Sequence, residues 1–244
     1  MIGVILAAGR GSRIGSKGNL KPKSLLKIYK KKTILDYQIK ILENLQAKKI
    51  FIIVGYKMNI IKKNINKNNI FFIENKNWRK TNVLYSFSLC LKYIKDDFIF
   101  MHADSVAEES IFKRIVNFRK TTLPIHVKKC GDEEMKLFKV NEEMYLSKNT
   151  PINQKPAGEF MGVAYFKKDS ISKFIKIIKN LKKDKYFNTF FFEQAINELA
   201  KAHKIKIVKM RKVKFAEIDF YKDYIYVKKN FKNYFNKFFK QSYY

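Results

Sequence analysis

Hydrophobic residues in the first half of the chain follow two spacings. Short uninterrupted apolar runs are typical of buried strands, and apolar residues three or four apart are typical of helices with one buried face. The runs predict strands at residues 2–6, 50–54, 70–73 and 98–101. The helical spacing predicts helices at residues 33–46, 59–66, 81–94 and 108–118, with Thr81 or Asn82 as the N-cap of the third. Strands that alternate with helices in this way predict a parallel sheet covered on both faces.

The second half of the chain is less regular. Short runs predict mostly antiparallel strands at residues 123–129, 135–140 and 144–146, and further strands at 160–166 and 205–210. Helices are predicted at residues 171–181 and 188–203, and a lysine-rich aromatic helix at 221–241. Because no repeat, Ser/Gly linker or low-complexity break divides the chain, we expect a single α/β domain.

Composition narrows the class of protein. Of the 244 residues, 46% are hydrophobic, which is ample for a core. No apolar run reaches the roughly 18 residues that a membrane span needs, and the N-terminus has no basic leader region or cleavage site, so we expect neither a transmembrane segment nor a signal peptide. Cys90 and Cys130 form no disulfide framework and no metal-ligand spacing, which predicts reduced thiols and a cytoplasmic location.

The chain is strongly basic. It has 52 Lys and Arg residues against 21 Asp and Glu, a formal net charge of +31. The lysines are spread along the whole chain, so we interpret them as a solvated surface and expect no nucleic-acid partner. An RNA-binding protein is the alternative, and it would need the charges to gather on one face. In either case the charge would attract anionic substrates at low salt.

The first predicted strand ends in a glycine-rich turn followed by cations. Residues 6–14 read Leu-Ala-Ala-Gly-Arg-Gly-Ser-Arg-Ile, and residues 21–23 read Lys-Pro-Lys. Gly9 and Gly11 let backbone N–H groups approach phosphate oxygens, and Arg13 and Lys23 supply charge, so the segment predicts a polyphosphate site. A dinucleotide-binding turn is the alternative, but Ile14 stands at its third glycine position, and the acidic residue expected about 20 positions later is absent.

Carboxylates follow two later apolar runs. Asp104 comes just after the strand at 98–101, and Glu217-Ile218-Asp219 follows another apolar run. Carboxylates at strand ends far apart in sequence are suited to share one Mg²⁺, an ion that takes few protein carboxylates together with water and phosphate oxygens. His102 would share a face with Asp104 in an extended strand and could orient it, although packing is the commoner role of such a histidine.

With these motifs the chain resembles the nucleotidyltransferase (NTP-transferase) superfamily from residue 2 to about residue 225. Three later parts of the chain resemble CTP:phosphocholine and 2-aminoethylphosphonate cytidylyltransferases. They are the segment Asn82-Val-Leu-Tyr-Ser86, the segment from Ala157 to Phe166, and the predicted helix with Phe192-Glu193 taken together with Glu217-Ile218-Asp219. The resemblance implies a Rossmann-like, mixed but mostly parallel sheet with helices on both faces and a small antiparallel acceptor-binding region. It also implies one domain, 1–244, with a nucleotide-binding half at 1–120 and an acceptor-binding half with a C-terminal helix at 121–244.

The resemblance implies roles for the matched residues. Arg13 would neutralise the β- and γ-phosphates of CTP and Lys23 the α-phosphate, as the catalytic residues. Asp104 and Asp219 would bind Mg²⁺, the expected cofactor. The nucleotide would contact Leu6, Ala7, Ala8, Gly9, Gly11, Ser12, Gly55, Asn82 and Ser86.

The acceptor is expected to carry an ammonium group, which aromatic faces and a carboxylate can hold. The candidates are Glu159, Glu193, Glu217 and Tyr186, although most of the 22 Phe and 14 Tyr side chains should belong to the core. The predicted activity is Mg²⁺-dependent transfer of CMP from CTP to a phosphocholine- or aminoalkylphosphonate-type acceptor, with release of pyrophosphate. A sugar-1-phosphate nucleotidyltransferase that uses UTP, dTTP or CTP is the alternative, since it shares every phosphate-handling residue.

Two further expectations concern the surface of the protein. We expect residues 221–241 to dock on the domain's own core, and attachment of this lysine-rich aromatic segment to a membrane surface is the alternative. Assembly into a homodimer stays open.

Overall fold

The computed structural model describes residues 1–14, 21–65, 67–141 and 143–240. Its strands are β1 Ile2–Ala7, β2 Lys27–Tyr29, β3 Lys32–Thr33, β4 Lys49–Val54, β5 Ile70–Glu74, β6 Phe98–His102, β7 Ser105–Ala107, β8 Thr122–His126, β9 Lys136–Val140, β10 Glu143–Ser147, β11 Gly158–Phe160, β12 Val163–Phe166, β13 Lys206–Met210 and β14 Phe215–Glu217. Its α-helices are α1 Ile34–Asn44, α2 Met58–Lys63, α3 Val83–Ser88, α4 Glu109–Asn117, α5 Lys168–Leu181, α6 Phe192–Ala202, α7 Tyr221–Asn230 and α8 Lys232–Lys240. Short 3₁₀ turns cover Ser12–Ile14, Lys23–Leu25, Leu91–Tyr93 and Phe187–Thr189.

Ten strands of the described residues form one mixed sheet in the order β10-β9-β11-β8-β12-β6-β1-β4-β5, with β13 beside β8. Strands β6, β1, β4 and β5 run parallel to one another. Strand β12 pairs antiparallel with β6 and β8, which joins the second half of the chain to the same sheet. The predicted fold class is confirmed, and the division into functional halves at residue 120 stays a prediction.

Helices cover both faces of the sheet because successive strand residues point to opposite sides. In β1, Ile5 and Ala7 belong to a core that includes buried residues of α1, α4, α7 and α8. Ile2 and Val4 belong to a second core that includes buried residues of α3, α5 and α6. The parallel strands therefore lie between two apolar layers, and only their ends are left for polar chemistry.

Several predicted elements have different bounds in the structure. The strand predicted at 160–166 is broken at Gly162, whose φ of +64° interrupts the extended backbone between β11 and β12. The helix predicted at 81–94 ends at Ser88 and starts after Asn82, whose side chain accepts a hydrogen bond from the Val83 N–H. The helix predicted at 59–66 ends at Lys63, and residue 66 lies outside the described residues.

The single C-terminal helix predicted at 221–241 is two helices, α7 and α8, with Phe231 between them; residue 241 lies outside the described residues. Buried side chains, among them Val227, Phe231, Phe235 and Phe238, pack both helices onto the core. Docking onto the domain therefore accounts for the buried aromatic residues of this segment, whereas Tyr221 and Tyr226 stay exposed. No helix in the described part of the chain combines the length and apolarity that crossing a bilayer requires.

Candidate active site

The glycine-rich turn leaves the carboxyl end of β1 and packs against Lys23. Gly11 has φ +69°, and a Cβ there would lie 2.8 Å from the Cβ of Lys23. Glycine is required at this position because an L side chain would be both strained and crowded. A Cβ at Gly9 would meet no atom within 4 Å, so this glycine faces open space. The turn thus brings bare backbone and a lysine stem together.

Lys23 joins two carboxylates that are far apart in the sequence. Its ammonium lies 2.8 Å from Asp104 Oδ2 and 3.0 Å from Asp219 Oδ1. Only 11% of the Lys23 side chain is exposed, so these contacts are little screened by water. Three of the four residues predicted to handle phosphates and metal therefore meet at one point.

Pairing of β7 with β14 explains how the two aspartates come together. These strands are antiparallel, with Glu217 opposite Ser105. The Ile218 N–H donates to the Asp104 carbonyl at 3.0 Å, so the backbone just before Asp219 lies beside the backbone of Asp104. The N–H of Asp219 donates to Asp223 Oδ2 at 3.0 Å, so the start of α7 also fixes its backbone.

The electrostatics of this cluster are set by burial and by opposite charge. Burial by itself lowers the pKa of Lys23, but Asp104 and Asp219 outweigh it, and the pKa lies above its ordinary 10.5. Burial by itself raises the pKa of Asp104, but Lys23 and then His102 outweigh it, and the pKa lies below 3.8. For Glu217, burial and then the charges of Asp104 and Asp219 raise the pKa well above 4.5. Negative charge is thus concentrated beyond what Lys23 alone neutralises.

Arg13 lies at the rim of the cluster. Its guanidinium is 2.8 Å from Asp219 Oδ1 and 3.1 Å from Glu133 Oε2, and 44% of its side chain is exposed. It also lies over the ring of Phe220, 5.5 Å from the centroid. The fourth predicted phosphate or metal residue therefore joins the other three, on the more exposed side.

Three connected clefts open at this edge of the sheet. The loop cleft, a cavity of about 280 Å³, is lined by Leu6, Ala7, Gly9, Gly11, Ser12, Arg13, Lys23, Ser24, Ala103 and Asp104. The inner cleft, also about 280 Å³, is lined by Leu6, Gly9, Arg13, Asn82, Val83, His102, Asp104, Glu133, Met135, Lys148, Phe160, Gly162, Phe191, Glu193, Glu217 and Asp219. The outer cleft, about 640 Å³, is lined by His126, Lys128, Gly131, Asp132, Glu133, Glu134, Glu159, Phe215, Ala216, Glu217, Asp219, Phe220, Lys222, Asp223 and Tyr226. The loop and inner clefts share Leu6, Gly9, Arg13 and Asp104, and the inner and outer clefts share Glu133, Glu217 and Asp219.

Two predicted acceptor residues are buried carboxylates that line these clefts. Glu193, at the start of α6, is 3% exposed, and among the described residues no hydrogen-bond partner reaches its Oε2. Glu159 is also 3% exposed, with Oε2 3.1 Å from the Lys128 ammonium. Burial, opposed by Lys128, raises the pKa of Glu159 to about 7. Glu193 is therefore open to a cation, whereas Glu159 already has the Lys128 ammonium as its partner.

Four predicted site residues do not line any of the three clefts. Ala8 is buried, and its carbonyl accepts a hydrogen bond from the backbone N–H of residue 56, next to Gly55. At Gly55 a Cβ would lie 2.7 Å from Trp78, so this glycine permits close packing. Ser86 is buried and accepts a hydrogen bond from Asn75. Tyr186 is 58% exposed on the surface, with the Lys185 ammonium over its ring.

The clefts also contain residues that the sequence reasoning missed. Glu133 contacts Arg13, and Lys148 lies 3.6 Å from Glu133 and 5.6 Å from the ring centre of Phe191. The run Asp132-Glu133-Glu134 was a usable signal, because three successive acids are unusual in so basic a chain. Phe191 lines the inner cleft together with Glu193, whereas Tyr186 lines none of the three clefts.

Among the described residues, one group of side chains could hold a metal ion. Ligand atoms of His102, Asp104 and Glu217 lie within 4.8 Å of one another. Asp219 is next to this group through its shared contact with Lys23. Glu217, expected on the acceptor side, thus lies beside Asp104 and His102 as well.

Comparison with known proteins identifies the family. The model of the MobA-like NTP transferase domain matches residues 3–141. This chain belongs to the MobA-like NTP transferase family. The predicted nucleotidyltransferase resemblance and enzyme class are confirmed.

Two curated relatives of this nucleotidyltransferase are cytidylyltransferases. The chain is 34% identical over 128 residues to the CTP:phosphoglutamine cytidylyltransferase of Campylobacter jejuni, a match that covers 49% of this chain and half (50%) of that protein's length. It is 22% identical over 233 residues to the choline-phosphate cytidylyltransferase of Streptococcus pneumoniae, which covers 96% of this chain and 99% of that protein. The solved CTP:phosphocholine cytidylyltransferase from Streptococcus pneumoniae has the same fold, with a TM-score of 0.80, 20% identity, and coverage of 95% of this chain and 99% of that one.

Proposed function

We propose that this nucleotidyltransferase transfers CMP from CTP to a small acceptor that carries a phosphate or phosphonate at one end and an ammonium group at the other. Phosphocholine and aminoalkylphosphonates are acceptors of this class. The observation that carries the proposal is the meeting of Lys23, Asp104 and Asp219 beside the glycine-rich turn. The two curated relatives, which act on CTP with phosphoglutamine or choline phosphate as their names state, support the choice of CTP.

The loop cleft suits the phosphates of the nucleotide. The bare backbone at Gly9 and Gly11 and the hydroxyl of Ser12 line it, and the cations Arg13 and Lys23 close it. On arrival of the triphosphate, both cations would exchange their carboxylate partners for phosphate oxygens. We assign Arg13, the more exposed, to the departing pyrophosphate and Lys23, the more buried, to the α-phosphate, where charge builds up in the transition state.

The carboxylates fit a divalent cation. Asp104 and Asp219 would hold it, with Glu217 close by, and the raised pKa of Glu217, caused by burial and by these neighbours, marks the excess negative charge that a cation would relieve. Carboxylate oxygens are the donors that Mg²⁺ takes in proteins. When bound, the ion would neutralise phosphate charge and orient the reacting groups.

Acidic residues are concentrated on the acceptor side. The outer cleft contains seven of the 21 acidic residues of the chain: Asp132, Glu133, Glu134, Glu159, Glu217, Asp219 and Asp223. In a protein with a net charge of +31, a cleft of this composition favours a ligand with a positive group. In the adjoining inner cleft, Glu193 is the best-placed single ammonium ligand, because it is buried with an oxygen that has no hydrogen-bond partner in the described part of the chain.

The reaction requires no general base from the protein. An acceptor oxygen, already anionic at neutral pH, attacks the α-phosphorus of CTP. A new P–O bond forms while the bond from the α-phosphorus to the oxygen of the β-phosphate breaks, and that oxygen leaves with the electron pair as part of pyrophosphate. The protein acts by positioning the two phosphorus groups and by stabilising charge.

Pyrophosphate release in the presence of a divalent cation tests the proposal. Phosphocholine, phosphoethanolamine, 2-aminoethylphosphonate and phosphoglutamine would each be paired with CTP, and glucose-1-phosphate with UTP, dTTP and CTP. We expect turnover with CTP and at least one ammonium-bearing acceptor. In Glu193→Gln we expect a rise in the KM for that acceptor. Turnover of glucose-1-phosphate alone would contradict the proposal and favour the sugar-1-phosphate alternative.

A further inference from the structure

His102 lies in an unusual environment for a packed histidine. It ends β6, and the turn that follows carries Asp104, while Glu217 ends β14 on the other side. One ring nitrogen and one carboxylate oxygen from each acid lie within 4.8 Å of one another. Three separate positions of the backbone thus converge on a space of the size that one ion occupies.

The Nε2 atom of His102 is buried, and among the described residues it has no hydrogen-bond partner. Its closest recorded acidic neighbour is Glu193 Oε1 at 4.0 Å, which is too far for a hydrogen bond. Buried polar atoms in proteins are almost always partnered, so an orphan nitrogen beside carboxylates calls for an explanation. A metal ion in the inner cleft, which His102 lines together with Asp104, Glu193 and Glu217, would supply the missing partner.

The main chain of His102 is held by Gly162, because the His102 N–H donates to the Gly162 carbonyl at 2.8 Å. A Cβ at Gly162 would lie 3.2 Å from Nδ1 of His102, so the glycine leaves room for the ring. The ring also packs edge-on against Phe100, with centroids 5.0 Å apart. The backbone bond and the packing against Phe100 restrict the position of the imidazole, which is the kind of support that orients a metal ligand.

We propose that the imidazole of His102 is a direct ligand of the divalent cation in this site, and that the site therefore selects Mn²⁺ or a later divalent transition metal over Mg²⁺. Mg²⁺ prefers a shell made of oxygen atoms and keeps several waters. Mixed nitrogen and oxygen sites bind Mn²⁺ and, increasingly, Co²⁺ more tightly. The inference deepens the proposed function, on which it rests for the presence of a cation at Asp104.

Pulsed EPR of the full chain with Mn²⁺ tests this directly, without reference to activity. A nitrogen-14 nucleus bound to Mn²⁺ modulates the electron spin echo, and a shell of oxygen atoms does not. We expect nitrogen modulation in the wild-type protein, with and without a non-hydrolysable CTP analogue. His102→Gln should abolish it, and the affinity ratio of Mn²⁺ to Mg²⁺ should fall about 10- to 100-fold.

The chain offers a matched control, since it contains three histidines. His126→Gln changes a histidine of the outer cleft and should leave the modulation unchanged. His102→Glu provides an oxygen ligand in place of nitrogen, and it should restore cation binding with a preference for Mg²⁺, even if His102→Gln is poorly folded.

The outcomes separate the inference from the proposed function. Mn²⁺ bound in an Asp104-dependent way but without nitrogen modulation would overturn the role of His102 and leave the proposed function standing. Mn²⁺ binding that Asp104→Asn does not weaken, with or without the CTP analogue, would instead remove the metal site on which both rest.

Discussion

The ammonium of Lys23 should contribute to stability and to catalysis while opposing metal binding. Replacing Lys23 by Met keeps the stem that packs on Gly11 and removes only the charge between Asp104 and Asp219. Removing one partner of a buried ion pair costs about 3–5 kcal/mol. Because the Asp104 and Asp219 side chains are 24% and 17% exposed, we expect the lower end, about 3 kcal/mol of unfolding free energy.

That loss should be visible as a fall in melting temperature of about 6–12 °C for a chain of this size. Turnover should fall about 100- to 1,000-fold, the usual effect of removing one donor that stabilises transition-state charge. Binding of Mn²⁺ without nucleotide should become tighter, because the cation no longer competes with the ammonium for the same two carboxylates. Opposite changes in metal affinity and turnover are the signature of this arrangement.

The assays are thermal unfolding, pyrophosphate release and Mn²⁺ titration, each with Lys21→Met as the control. Lys21 is exposed two residues away and should have little effect in any of them. The stability difference should shrink in acid, since the lowered pKa of Asp104 means that its ion pair is lost as pH falls through that value. A Lys23→Met protein that melts with the control and turns over at the wild-type rate would refute the reasoning.

Three further outcomes are expected. Gly11→Ala should destabilise the protein by about 1–3 kcal/mol in urea unfolding, because residue 11 has a φ of +69° and an added Cβ would press on Lys23. Gly9→Ala should leave stability unchanged. Equal stability of the two variants would argue against this geometry. Arg13→Ala should raise the KM for CTP in steady-state assays with little loss of stability, since the residue is at the exposed rim; an unchanged KM would exclude a phosphate contact. The free energy of unfolding of Glu159→Gln should rise by about 3 kcal/mol relative to that of the wild type as pH rises from about 4.5 to about 7. The reason is that the pKa of Glu159 is raised in the folded state, so ionisation of this buried carboxyl disfavours the folded wild type over that window. A pH-independent difference in stability would contradict this prediction.

Local sequence patterns were sufficient for most of the framework. The apolar run at 2–6 and the glycines after it fixed the first strand and its turn, because strand burial and positive φ depend on residues close in the chain. The same holds for Asn82, whose side chain caps α3 next to it. Asp104 and Asp219 were also correctly brought together, since their positions after apolar runs placed both at one edge of the sheet.

The features that the sequence patterns did not predict lie where distant segments of the chain meet. Strand β7 is three residues long and was not predicted, because nothing local to residues 105–107 reveals that they pair with residues 215–217. The same pairing places Glu217 close to Asp104. It also places a second carboxylate near His102, which the residues next to His102 in the sequence do not indicate. Contacts made across more than a hundred residues depend on which strand edges and side chains the folded sheet brings into reach.

The amino-acid sequence by itself determined the alternating α/β elements, the glycine-rich turn and the residue types suited to phosphate and metal, since each depends on short-range spacing and intrinsic conformational preference. Only the tertiary structure decided which polar groups face one another. Lys23 lies between two aspartates, Glu133 contacts Arg13, and His102 places near Glu193 a ring nitrogen that no described residue partners. The physical reason is that electrostatic and coordination energies depend on distances between atoms, and folding sets those distances between residues that the sequence keeps far apart.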